Sequence, residues 1–94
     1  MNTLTTDVIE SLIKEQVDEL TDFDVTTITQ ETPVSEFGFV SLDFISIQVA
    51  LKRASGVTVD LSQLAEANVT TFGELIAFLS QAINQKILNN NGGY

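Results

Sequence analysis

The sequence predicts a small all-α domain, a four-helix antiparallel bundle of three main helices and a short third one. Three segments repeat apolar residues at helical spacing. Their ends carry capping and stop signals. The single stretch that could be a strand, "GVTVDL" at 56–61, has no second strand to pair with.

The first helix is expected over 6–20. Val8, Ile9, Leu12, Ile13, Val17 and Leu20 line one face, with Thr6 as N-cap and Asp7 and Glu10 in the first turn, where carboxylates suit the helix dipole. Residues 21–40 hold threonine and aspartate clusters, the only proline (Pro33) and Gly38, with apolar anchors at Phe23, Ile28, Val34, Phe37 and Phe39. They read as a long loop, of the kind that is functional or packed by its own anchors. A second helix runs from Ser41 to about Ser55, stopped by Gly56 at C′ with Lys52 and Arg53 in its last turn. "GVTVDL" is then an extended connector, and "LSQLAEAN" after Asp60 suits a short helix of two turns. The last helix opens on a Thr71-x-x-Glu74 capping box and puts Phe72, Leu75, Ile76, Leu79 and Ile83 on one face, from about 72 to 85. The domain is bounded at 1–88, and residues 89–94, "NNGGY" after one further asparagine, are expected to be a disordered tail.

Composition removes most enzyme chemistry. With no cysteine and no histidine, thiol nucleophiles, disulfides, thiolate zinc sites and Ser/His triads are excluded. Four basic residues against thirteen acids, a net charge of −9, argue against nucleic acid and anionic membranes and favour protein partners with basic patches. No apolar run is long enough to span a bilayer. With no disulfide and no leader pattern, the expectation is a cytoplasmic monomer. The acidic run around Asp22 and Asp24 lacks the glycine and terminal glutamate of a calcium loop and reads as a solvated surface. Asp43 and Asp60 read as a first-turn dipole contact and a helix cap, not a hydrolytic pair.

The second helix carries the functional question. Ser41 reads locally as an N-cap, whose hydroxyl satisfies a backbone N–H. Behind it, however, stand two apolar rows. Ile47 and Leu51, with Phe44 beside them, make a core seam, while Leu42, Ile45 and Val49 form a second, displaced row. A helix that is apolar on two sides is either fully buried or bound by something on its second side. In a domain this small, the second row is expected to stay partly exposed and to mark an interaction surface.

The run Phe37-Gly38-Phe39-Val40-Ser41-Leu42-Asp43, followed by a helix and then by "GVTVDLSQL" and "NVTTFGELIAFL", resembles the acyl carrier and peptidyl carrier proteins of fatty acid, polyketide and nonribosomal peptide synthesis. The resemblance covers about residues 6 to 84. It implies that Ser41 is the attachment point of a covalent 4′-phosphopantetheine arm, taken from coenzyme A and installed by a separate phosphopantetheinyl transferase. It also implies that Val40, Leu42, Asp43, Ile45 and Val49 form the surface read by the transferase, by an acyl- or aminoacyl-loading enzyme and by downstream synthase enzymes. The chain would then be a non-catalytic carrier. Position 40 is valine where the family motif has aspartate. This leaves open a divergent carrier with a dedicated transferase, a degenerate carrier no longer primed, or a deliberate substitution. The second helix is also less acidic than in bacterial fatty-acid carriers, with Ser46, Gln48, Lys52 and Arg53 along it. A free-standing (type II) carrier of a specialised polyketide or nonribosomal peptide pathway is the expectation. The alternative is an unmodified, carrier-like adaptor that binds partners through the second helix.

Overall fold

A computed structural model of the chain describes residues 5–64 and 67–92. Three α-helices, α1 (Thr6–Leu20), α2 (Ser41–Ser55) and α3 (Phe72–Gly92), account for most of them, and a 3₁₀ turn at Leu61–Leu64 stands in the place of the fourth. Among the described residues there is no strand, only one isolated antiparallel bridge between Pro33 and Thr71. The expected all-α bundle is therefore the observed architecture.

α1 forms as its periodicity dictates: Ile9, Ile13 and Val17, spaced by four, are buried, and Leu12 and Leu20 pack beside them. Its cap is one residue earlier than expected. Thr5, not Thr6, is the N-cap, and its hydroxyl accepts from Val8 N–H at 3.2 Å. At the other end Thr21 donates both its N–H (3.0 Å) and its hydroxyl (2.8 Å) to the Val17 carbonyl, and so closes the last turn.

The threonine and aspartate clusters of the long loop serve its own backbone. Asp24 Oδ1 accepts from the N–H (3.0 Å) and hydroxyl (2.6 Å) of Thr26, nucleating a 3₁₀ turn at Val25–Thr27. Those two bonds hold the Asp24 carboxyl below its ordinary range. Thr32 Oγ1 accepts from Thr29 N–H at 2.8 Å. A second 3₁₀ turn, Val34–Phe37, leads into Gly38.

The loop is fastened to α3. Phe72 N–H donates to Thr32 O (2.8 Å), Gly73 N–H to Gln30 O (2.9 Å), and Val34 N–H returns a bond to Thr70 O (2.8 Å). The expected capping box completes the turn: Glu74 N–H donates to Thr71 Oγ1 (3.2 Å), while Glu74 Oε1 accepts from Thr71 N–H (3.1 Å), Thr70 N–H (3.0 Å) and the Thr70 hydroxyl (2.8 Å). The N–H groups that a helix start leaves without intrahelical acceptors are thus shared between a local box and a distant segment. A Cβ at position 73 would lie 3.0 Å from Gln30 O and 2.7 Å from Gln30 Oε1. Glycine lets the two backbones approach this closely without displacing the Gln30 side chain or crowding its carbonyl.

α2 ends at Gly56, as expected, in a left-handed conformation (φ 77°) with its N–H on Lys52 O at 2.7 Å. The connector then alternates: Val57, Val59 and Leu61 are buried, Thr58 and Asp60 exposed. A two-residue period without a partner strand still fills the core from one side. The short third helix is shorter than expected where it is described. Its first four residues form a 3₁₀ turn, residues 65–66 lie outside the described residues, and Asn68 is left-handed (φ 56°) with Val69 N–H on Leu64 O at 3.3 Å.

On α3 the expected face, Phe72, Leu75, Ile76, Leu79 and Ile83, is buried in the shared core, where α3 packs against α1. The helix does not stop near 85. Its backbone is helical through Gly92, across much of the segment expected to be a tail, while Gly93 and Tyr94 lie outside the described residues. Nothing in 86–91 breaks a helix, since glycine first appears at 92. No helix of the described residues is long and apolar enough to cross a membrane.

Gly73→Ala should lower stability by about 1–3 kcal/mol, the usual cost of forcing an extra carbon into a closed contact. Urea melts would read this as a lower midpoint with an unchanged slope, and an unaltered midpoint would mean that the loop gives way at no cost. Glu74 gives a pH test. Its bonds from Thr70 and Thr71 lower its pKa from the ordinary glutamate range in the folded chain. Its contribution is therefore present in full above that range and lost as pH falls through the lowered value. Glu74→Gln should melt below the parent chain near neutral pH, and the difference should shrink in acid, as followed by circular dichroism.

Candidate functional site

The approach to α2 is built from aromatic rings. Phe37 is buried with its ring 5.1 Å from Phe23 and 6.2 Å from Phe72, both edge-on, and 5.6 Å from Phe39. Phe39 in turn meets Phe44 of α2 edge-on at 5.5 Å. Such pairs add about 0.5–1.5 kcal/mol each beyond their buried area. They clamp the chain on both sides of Gly38, whose left-handed φ of 71° turns it into the helix. Lys14 of α1, paired with Glu10 at 3.1 Å, lies 5.8 Å above the Phe72 ring and ties α1 to the same cluster.

The start of α2 differs from the expectation in one residue. Val40, extended at φ −107° and ψ 175°, is the N-cap, so Ser41 is the first helical residue and its hydroxyl does not cap the helix. Asp43 does half of that work: its Oδ2 accepts from Val40 N–H at 3.0 Å. Valine has no acceptor to return, so the other half of a capping box is missing. Asp43 N–H and Phe44 N–H donate to Val40 O at 2.9 and 3.3 Å. The N–H groups of Ser41 and Leu42 have no acceptor among the described residues, and neither does the exposed Ser41 hydroxyl have a partner there.

The two apolar rows of α2 separate as their spacing requires. Ile47 and Leu51 are buried and Phe44 is half-buried, whereas Leu42 is 72% exposed, Ile45 54% and Val49 46%, with Val40 at 59% just ahead of them. Five of the six residues singled out from sequence, Val40, Ser41, Leu42, Ile45 and Val49, therefore share one exposed surface. Asp43, the sixth, turns back to the helix start. On the side toward the connector, Ser41, Phe44, Ile45, Gln48, Asp60, Leu61 and Leu64 line an open depression of about 490 Å³. A larger one, about 640 Å³, lies between α1 and α2 over Val8, Leu12, Ala50 and Arg53, and Ser41 is not in its lining. The smaller one is the depression that includes Ser41, the single hydroxyl-bearing residue of those five.

Sequence reasoning missed Asp60, Leu61 and Leu64 as neighbours of Ser41, because that contact depends on where the connector folds back. It also missed Gly73. The available signal was a glycine in the first turn of a helix, where it costs propensity unless close packing requires it.

A family model described as "Phosphopantetheine attachment site" matches residues 11–79, from the second turn of α1 to the middle of α3, with Ser41 and its depression inside the span. A comparison with curated proteins finds no match.

Since valine is a poor N-cap and the backbone at 40 is already extended, Val40→Asp should raise stability by about 0.5–1 kcal/mol, partly offset by the Asp43 carboxylate nearby. Chemical denaturation of the two chains side by side would detect a gain of that size. A loss would mean that repulsion from Asp43 outweighs the new cap.

Proposed function

The chain belongs to the phosphopantetheine attachment-site family, the carrier proteins, and from that premise we propose that Ser41 bears the arm and that α2 presents it to partner enzymes. Members of the family carry 4′-phosphopantetheine as a covalent prosthetic group. When attached, that group supplies a terminal thiol able to hold an acyl or aminoacyl chain as a thioester.

The observation that carries this reading is the state of Ser41: an exposed hydroxyl without a hydrogen-bond partner among the described residues, on the first residue of a long helix. A phosphodiester there would meet the N–H groups of Ser41 and Leu42 and the positive end of the α2 dipole, worth about 0.3–1 kcal/mol at an exposed site. The residues present thus suit the group. The chain supplies no base to activate Ser41, and needs none if the base and metal belong to the transferase. What the chain contributes is position: the aromatic clamp holds the start of α2 rigidly, and the exposed apolar row beside Ser41 offers a partner something to grip. Contacts of this kind are small and transient, below about 1,200 Å². Release after each visit is what a carrier requires.

Within the family, we place the chain among carriers of a specialised polyketide or nonribosomal peptide pathway. The support is the charge of α2, where Asp43 is the only acid and is bound to its own helix start. The partners on this reading are a phosphopantetheinyl transferase, a loading enzyme and synthase enzymes. A second reading is favoured by Val40 standing where the family has aspartate: an unmodified adaptor that uses the same row. It predicts that Ser41→Ala keeps function and that substitution of Leu42 or Val49 destroys it.

Intact mass after incubation with coenzyme A, magnesium and a broad-specificity transferase decides between them. The parent chain should gain one pantetheinyl increment and Ser41→Ala none. An increment on Val40→Asp alone would make valine the block to priming by that enzyme. None on either chain would favour the adaptor.

A further inference from the structure

The exposed row of α2 has a charge polarity that the net charge of the protein hides. Leu42, Ile45, Val49 and Lys52 follow one another at spacings of three, four and three, the seam pattern that receives another helix. At the Ser41 end the nearby charges are acidic: Asp43 on the first turn and Asp60 on the rim of the depression. At the other end they are basic. Lys52 lines an open notch of about 210 Å³ with Ile45, Gln48, Val49 and Thr58. Lys86, from α3, is tied to the connector at the same residue, with its Nζ donating to Thr58 O at 2.8 Å. Among the described residues the one ion pair is Glu10–Lys14, so neither Lys52 nor Lys86 is paired with a described carboxylate. Arg53 is on the other side, in the groove against α1.

Lys52 stands at the far end of that notch, roughly 16 Å along α2 from Ser41 at 1.5 Å per residue, and Lys86 is bonded to Thr58, which borders it, so two of the four cations of a chain with net charge −9 lie at this end of the row. At physiological salt, charges further away than about 8 Å are screened, so a docking partner senses this local field rather than the acidic whole. We infer that the partner segment seated on α2 is an amphipathic helix whose apolar ridge ends in carboxylates, which meet Lys52 and Lys86 and leave Ser41 uncovered at the opposite end. Such a contact fixes direction as well as place, because reversing the helix would set its carboxylates against Asp43 and Asp60. The inference deepens the carrier reading by naming the chemistry of its partners, and it rests on that reading for what the partners are.

The test uses the unmodified full chain, labelled with ¹⁵N, and two synthetic amphipathic helical peptides with the same leucine seam, one ending in glutamates and the other in lysines. The glutamate peptide should shift the amide signals of α2 from Leu42 to Lys52 and of Thr58. It should bind there about three- to tenfold more tightly than the lysine peptide, the size expected of one or two exposed ion pairs. Lys52→Gln, an exposed change that leaves the fold alone, should remove much of that difference, and Lys52→Gln with Lys86→Gln the rest. Equal or tighter binding of the lysine peptide on α2, shifts confined to other surfaces, or no shift with either peptide would overturn the inference. So would α2 shifts that depend on protein concentration without peptide, which would assign the face to a second copy. Ser41 takes no part in the titration. A chain that is primed but fails here loses only the acidic partner, and one that binds as expected but is never primed loses only the carrier reading.

Discussion

The N–H groups at the start of α3 cannot be satisfied within their own helix, and much of the structure follows from where they are satisfied. Two of them, at Phe72 and Gly73, donate to carbonyls of Thr32 and Gln30, some forty positions earlier in the chain. This pins a long loop that would otherwise carry a heavy entropic cost. It favours glycine at 73, because a Cβ would crowd Gln30. It also delivers Phe72 to the middle of the core, where it contacts the Phe37 ring and lies under Lys14.

From that fastening the order propagates to Ser41. With Phe72 in place, Phe37 has a wall to pack against, Phe39 and Phe44 extend the ring contacts into α2, and Gly38 makes the turn between them. The first residue of α2 is then held by packing on both sides while its own side chain is left in the open. A packed backbone beneath an open hydroxyl is the arrangement that the attachment proposed at Ser41 calls for. Val40 sits between the two, and its lack of an acceptor leaves the cap of α2 to Asp43 alone.

The same division of labour explains why α2 is apolar on two sides. Ile47 and Leu51 face the core, which the small bundle can fill, and no element of the described chain covers Leu42, Ile45 and Val49. The acids gather largely before the loop ends, at α1 and beyond it, so α2 remains an apolar strip with cations at its far end within a strongly acidic protein. The net charge averages over this difference along α2.

The sequence by itself determined the helices, their core faces, the C-terminal stop of α2 at Gly56, the capping box of α3 and the two rows of α2. Each depends on residues within a turn or two of one another, where spacing and capping chemistry decide. It also placed Ser41 at the head of a helix in a run resembling carrier proteins. Only the tertiary structure decided that Val40 rather than Ser41 is the cap and that Gly73 exists for the loop to approach. The same holds for the depression that Asp60 and Leu61 form with Ser41, and for the bond from Lys86 to the Thr58 carbonyl. Each of these joins residues far apart in sequence or turns on a one-residue shift in where a helix begins. Local periodicity is blind to the first and too coarse for the second.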